Sequence, residues 1–382
     1  MKSYKYLSLS LPFLLVIFLT QCRNHENQDI NSEKALSARI YDGDYSNLDI
    51  SKEFIVKPIK LETRKECIIG QIVNVEVSNK FLYVLDQNTL YLFTISGQYI
   101  KKINRGKGPG EVTRALNISY DEEYNELYLI ERGNVLHVYD ENINYKETYV
   151  LNGSYCDALR IDSTSFLLYS ALPAKWGDNL VVKYDVQKGE KLVQYIPTKE
   201  VFTPNFQLLC YNNFVKSNEK LYVFGSNSHY IYQYLNNEIV PTIHIDFNYW
   251  VIPKKILNDF ENQNDYMNYA KQNNKISFTN SLHIINNFKL LGISSFERNY
   301  GLVVGDSSEM LLIKLNELLD LPDTESFKRP INSCNNKLIF AYYNDVLITG
   351  DTICRSTNFI LHGVSININI DDNPSLIILD FN

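Results

Sequence analysis

From Lys80 onward an apolar strand rises out of a polar turn, reaches an acidic or amide residue and returns as a second strand, and this unit recurs. The first copy runs Phe81-Leu82-Tyr83-Val84-Leu85-Asp86, then Thr89 to Phe93, the turn Ser96-Gly97-Gln98 and a strand from Tyr99 to Ile103. The second runs Leu127 to Glu131, Val135 to Asp140 and Tyr145 to Leu151. Further copies start near Phe166, Leu221, Leu290 and Leu338. A period of about 40 to 50 residues holding about four strands is the dimension of one propeller blade. Six copies therefore predict an all-β, six-bladed β-propeller with four-stranded antiparallel blades over residues 49–382. A thin twisted sheet cannot bury both faces alone, whereas sheets arranged radially cover one another and leave only short edges. The pattern leaves open a seventh blade or a pair of β-sandwiches. Composition agrees with strands: 45% of residues are hydrophobic and there are 28 Tyr and 19 Phe, side chains that pack well on a pleated surface. The last strand, Ser375 to Phe381, is expected to close the ring beside early strands around Phe54 to Leu61.

One interval is too long for the repeat. Between Phe247 and Leu290, Pro253 opens a stretch with apolar residues at Ile256, Leu257, Phe260, Tyr266, Tyr269 and Ala270 in helical spacing. A short helical insertion between blades is expected, either covering a blade edge or serving as a lid.

The N-terminus precedes this pattern. Lys2 and Lys5 lead into an apolar run from Leu7 to Leu19 that stops at Thr20-Gln21-Cys22. That run matches a signal-peptide core and falls short of the ~20 residues a spanning helix needs. Residues 1–21 read as a lipoprotein signal peptide, with Cys22 as the lipidation site holding the protein in the bacterial cell envelope at a membrane, the outer one being favoured. Gln21 stands where a small residue is usual, so nearby cleavage or an uncleaved anchor is the alternative. Residues 22–48, rich in Asn, Asp, Glu and Ser, read as a flexible tether.

Several function classes are disfavoured. The net charge of −7 offers no basic field for nucleic acid. Beyond Cys22, Cys67, Cys156, Cys210, Cys334 and Cys354 form no Cys-x-x-Cys unit, and the six histidines include no His-x-x-x-His pair, so no metal site and no cofactor are expected. No Gly-x-Ser-x-Gly elbow is present. Asp86, Glu131, Asp140, Asp185 and Asp306 fall at equivalent strand ends of the repeat, which favours turn chemistry over a catalytic site. Two readings follow: a membrane-tethered binding module for a protein, peptide or glycan, or an envelope hydrolase or lyase with acids or a cation at the propeller channel. No heptad or exposed amphipathic stripe argues for an oligomer, and a monomer is expected.

The sharpest local motif is Arg105-Gly106-Lys107-Gly108-Pro109-Gly110-Glu111. Its glycines suit a chain crossing from an outer strand to the next blade's inner strand, and the spacing fits neither a dinucleotide fingerprint nor a P-loop. Here the chain resembles the six-bladed β-propeller lipoproteins of Gram-negative bacteria, NHL- or TolB-like in shape, in which a Gly-x-Gly-Pro-Gly-Glu loop follows the first blade. The match runs through Gly106, Gly108, Pro109, Gly110 and Glu111, with the preceding Ser-Gly-Gln turn and the terminal Asp372-Asn373-Pro374 in support. Gly106, Gly108, Pro109 and Gly110 are read as structural. Arg105, Lys107, Glu111 and Arg114 are expected near the channel mouth, as ligand-contact candidates.

Overall fold

The computed structural model describes residues 34–381, apart from positions 42, 46–47, 49, 51–53, 88, 133, 171–178, 198–211, 218, 226–227, 248–249, 295–297, 306, 324, 328, 344–346, 350–351, 355 and 370. Cys22, the signal segment, Cys210 and Asp306 lie outside the described residues. The chain opens with β1 (Lys34–Ile40) and β2 (Ile55–Lys60). A first antiparallel meander follows, β3 to β6 (Ile72–Val77, Phe81–Asp86, Leu90–Thr94, Tyr99–Lys102). The next is β7 to β10 (Ala115–Asp121, Glu126–Glu131, Val135–Asp140, Tyr145–Val150), then β11 to β14 (Tyr155–Arg160, Ser165–Ser170, Asn179–Asp185, Glu190–Pro197). After them come β15 to β18 (Phe214–Ser217, Lys220–Val223, Tyr230–Leu235, Glu238–Asp246) and β19 to β22 (Phe278–Ile285, Phe288–Ser294, Arg298–Val304, Glu309–Ile313). The chain ends with β23 (Asn332–Cys334), β24 (Lys337–Tyr342), two hairpins, β25 with β26 (Leu347–Thr349, Thr352–Cys354) and β27 with β28 (Ser356–Leu361, Val364–Asn369), and β29 (Ser375–Asp380).

The last sheet runs β2-β29-β24-β23, so residues from both ends of the chain share it. The expected closure is present, with Ile55 opposite Asp380 and Lys60 opposite Ser375. The first strands of successive meanders touch in the cyclic order β3, β7, β11, β15, β19, β23 and back to β3. Apolar clusters fill each gap between neighbouring sheets. Leu85 and Leu92 meet Leu127 and Leu129 in one gap, Leu136 and Val138 meet Phe166 and Leu168 in the next, and Val75 and Val84 meet Ile339 and Ile378 where the ring closes. Each sheet is thus buried on both faces, which is why its middle strands read as unbroken apolar runs.

Tyrosine suits these seams because the ring is buried while the hydroxyl finds a backbone partner. Tyr83 donates to Glu141 O, Tyr91 to Ile68 O, Tyr139 to Gly110 O and Tyr195 to Asn237 O. Burial raises all four hydroxyl pKa values.

The insertion is helical, as expected. A 3₁₀ segment at Lys254–Asp259 precedes α1 (Gln263–Gln272), whose N-cap Asn262 accepts from Asp265 N. Ile252, Tyr266 and Ala270 bury a small cluster of their own beneath Ile256 and Phe260. A second short helix is α2 (Leu315–Leu318). Among the described residues no helix is long and apolar enough to cross a membrane.

Part of the segment read as a tether belongs to the fold. Lys34–Ile40 is a strand, parallel to β18 through Lys34–Ser37 and to β22 through Ser37–Ile40, and it joins those two meanders into a nine-stranded sheet. Leu36 and Ala38 point into the core between them, while Tyr41, Tyr45 and Leu48 pack on the next cluster. The cause is two facing sheet edges, whose unpaired backbone groups bind any strand with small or apolar residues on alternate positions. Composition, read alone, hides such a strand among polar residues.

Candidate functional site

The glycine-rich segment is a self-contained loop between β6 and β7. Gly106 N donates to Val112 O, Val112 N to Asn104 O and Glu111 N to Gly108 O. Glu111 turns inward: its Oε2 accepts from Gly108 N at 2.9 Å, and a Cβ added at Gly106 would stand 2.0 Å from that same oxygen. Gly110 has φ +73°, and an added Cβ there would lie 2.6 Å from Tyr145 Cβ. Glycine is required at position 110, whereas at position 106 an added Cβ would displace the Glu111 carboxylate from its turn. Arg105, Lys107 and Arg114 are exposed. The loop precedes the start of β7, whereas the cavity on the propeller axis opens at that strand's far end, and none of Arg105, Lys107, Glu111 or Arg114 lines it.

That cavity, of about 290 Å³, is a cup whose floor is a belt of amides and carboxyls carried by the innermost strands. Asn332 donates to Val75 O and to Glu76 Oε1, at 2.8 and 3.1 Å. Asn74 donates to Asn117 Oδ1 and Ile118 O. Asp157 accepts from Ala158 N and Asn213 N and from the Asn117 side chain. The belt ties β23 to β3, β3 to β7, β7 to β11 and β11 to the residue ahead of β15. These strands show one another their inner edges, where few ladder partners exist, and side-chain amides supply the missing hydrogen bonds. At the mouth stand Glu122, Glu123, Asn335 and Lys216, the last 3.3 Å from Asp121.

Burial dominates the electrostatics. It pushes Glu76 up to about 8, the Asn332 hydrogen bond pulling against the rise, the Asp157 charge adding to it and Lys216 opposing it. Burial likewise pushes Asp157 up to about 7 against its three donors. Glu76 is partly buried and lines the cavity. Near neutral pH both carboxyls are therefore poised to lose or take a proton, as groups in functional clefts commonly are.

Sequence reading singled out none of the belt residues. A signal was present, since Asn74, Asn117, Asp157, Asn213 and Asn332 each stand about six to ten residues ahead of a repeat copy as counted from its second strand. Of the strand-end acids, Asp86, Asp140 and Asp185 do turn chemistry, whereas Glu131 bonds across to another loop. Asp86 accepts from Thr89 N, Asp140 from Asn142 N and Asn144 N, and Asp185 from Gln187 N and Lys188 N. Glu131 gathers Thr113 N, Arg114 N and His137 Nε2, while His137 Nδ1 meets Thr148 Oγ1. Cys67 and Cys334 are free thiols pushed by burial up to about 11 and about 12, which favours the protonated thiol over the nucleophilic thiolate. Among the described residues no group of His, Cys, Asp or Glu is placed to hold a metal ion.

A closed succession of four-stranded antiparallel sheets around an axial cup defines a β-propeller. The chain belongs to the family described as "Domain of unknown function (DUF4934)", whose model matches residues 49–380. Among solved structures it is similar to a Bacteroides fragilis protein described as exported, at 17% identity and TM-score 0.66, covering 91% of this chain and 99% of that one. It also matches the WD40 β-propeller domain of Doa1, at 11% identity and TM-score 0.36 over 58% and 60% of the two chains. The N-terminal domain of Nup159 matches at 10% identity and TM-score 0.44, over 91% and 100%. A comparison with curated proteins returned no match.

Proposed function

We propose that this chain is a six-bladed β-propeller held in the bacterial envelope by a lipid on Cys22, and that it binds a partner in its axial cup rather than transforming one. The cyclic order of the six innermost strands supports the blade count. The observation that carries the binding reading is the cup itself, a half-open hollow lined by convergent polar groups. A glycosidase needs two available carboxyls. Here Asp157 is occupied by three donors, Asp121 is paired with Lys216, and Glu122 and Glu123 stand exposed at the rim, an arrangement that favours recognition over hydrolysis. The similarity to a protein described as exported agrees with an envelope location.

The test is capture of envelope components by the purified protein and by variants Glu122→Trp and Glu123→Trp in the exposed β7–β8 turn, which narrow the mouth. Capture should fall at least tenfold in both variants. Undiminished capture would move the binding surface elsewhere. For the anchor, labelled palmitate should enter the wild type and not Cys22→Ser; label persisting on the serine variant would refute Cys22 as the site.

A further inference from the structure

We propose that the end of the first two meanders opposite the cup mouth docks on an anionic phospholipid surface. Four exposed cations meet there. Arg105, Lys107 and Arg114 belong to the glycine-rich segment and its exit, and Arg132 to the β8–β9 turn. Backbone links hold them in one place: Arg105 is bridged to Val112, and Arg132 N donates to Arg114 O at 2.9 Å. None of the four is paired with an acid among the described residues.

The two acids of these same segments are turned inward. Glu111 accepts from Gly108 N within its own loop. Glu131, only 8% exposed, is bonded to Thr113 N, Arg114 N and His137. The carboxyls that could neutralise the cations at the surface hold the backbone beneath them instead, so the charge facing solvent is of one sign in a chain whose net charge is −7. Of the other acids at this end, Glu62 is paired with Arg64 at 2.6 Å and Glu66 stands beside Lys65, so neither cancels the basic group. Such segregation attracts an anionic partner.

A second observation separates a membrane from a soluble polyanion. Val150 and Ile68, 73% and 67% exposed, are two of the three most exposed large hydrophobic side chains described, and both lie at this end. Val150 closes β10 opposite Val135, the strand residue that follows the Arg132 turn. Ile68 precedes β3 where Tyr91 donates to its carbonyl and Gly70 N donates to Asp86. At a bilayer the cations meet phosphates while aliphatic side chains enter the headgroup region, a combination that a polyanion in water does not reward. Docked this way, the propeller turns its cup mouth away from the lipid.

Vesicle sedimentation tests the proposal on the mature chain carrying Cys22→Ser, which bears no lipid, so the outcome depends neither on the anchor nor on the cup. Vesicles of equal parts phosphatidylcholine and phosphatidylglycerol should carry the protein down, and phosphatidylcholine alone should bind it at least tenfold more weakly. Each cation near an anionic surface strengthens binding about fivefold, so Lys107→Gln with Arg132→Gln should weaken binding at least tenfold. Lys188→Gln with Lys220→Gln, exposed lysines in turns at the cup end, should change it less than twofold. Ile68→Ser with Val150→Ser should weaken vesicle binding about threefold and leave retention on heparin unchanged. All six side chains are exposed, and the variants should melt within a few degrees of wild type. Equal binding to neutral and anionic vesicles, no binding to either, or equal losses in the two charge-neutralised pairs would overturn the proposal. A serine pair that binds vesicles as wild type does would also overturn it, and would make the basic group a site for a soluble polyanion if Lys107→Gln with Arg132→Gln loses heparin.

Discussion

Replacing Glu76 by Gln isolates the energetic cost of an acid at the bottom of the cup. The folded protein keeps the Glu76 proton up to about 8, whereas the unfolded chain releases it near 4.5. Between those values the folded state binds more protons, so stability is full below the lower value and falls as pH rises, levelling off above the upper one. A rise from 4.5 to about 8, at ~1.4 kcal/mol per unit, sets an upper limit of ~5 kcal/mol. Cavity water solvates part of the charge, and about 2–3 kcal/mol is the expected share. The amide introduced by Glu76→Gln keeps an Oε1 acceptor for Asn332 and cannot titrate. Asp157, Lys216 and Cys334 remain as charged or titratable neighbours, and Asp157 gives both proteins a common slope up to about 7. Urea unfolding at pH 5, 7 and 9 should therefore show near-equal midpoints at pH 5 and a clearly more stable variant at pH 9. Parallel pH profiles for the two proteins would refute the argument that burial holds the proton on Glu76.

Other perturbations probe the frame around the cup. Gly110→Ala combines a left-handed backbone with a clash against Tyr145 and should cost about 2 kcal/mol in a denaturation midpoint, whereas Gly189→Ala, at φ +70° with open space around it, should cost only about 1 kcal/mol. Glu126 is bonded to Lys146, Arg160 and Tyr128, with side chains of Glu126 and Arg160 only 9% and 13% exposed. Glu126→Gln should lose about 3 kcal/mol by leaving Arg160 unpaired, and adding Arg160→Met should recover part of it. Leu36→Ala should cost about 2–3 kcal/mol, and deleting residues 34–40 should produce aggregation visible by size-exclusion chromatography, because the edges of β18 and β22 are then bare.

The middle strands were legible in the sequence because each is buried on both faces, so Phe81–Asp86 or Leu127–Glu131 reads as an apolar run between turns. Closure was legible for the same reason, since Ser375–Asp380 is buried along its whole length. The innermost strands were not. β23 is three residues long and polar, and it is held by the Asn332 side chain and its neighbours in the ring rather than by a pattern of its own. β1 was hidden because its pairing uses backbone groups, and backbone groups leave no trace in composition. The cup was missed with them. Its amides come from strands over two hundred residues apart, as Asn332 and Val75 are, so only the closed ring brings them together. Glu111 shows the converse: an acid in a conspicuous loop, spent on holding its own turn.

The sheet formed by β2 and β29 pairs Lys57 with Asp380, 323 positions later. Bringing such remote segments together is slow, since ordering entropy must be lost before the distant contacts repay it. A nascent chain lacks the complementary strand until the 323 positions that separate Lys57 from Asp380 have been made. Under the proposed export this delay would be useful: the circle would stay unfastened while the thread is passing through a narrow translocation pore, and would lock only once β29 has emerged.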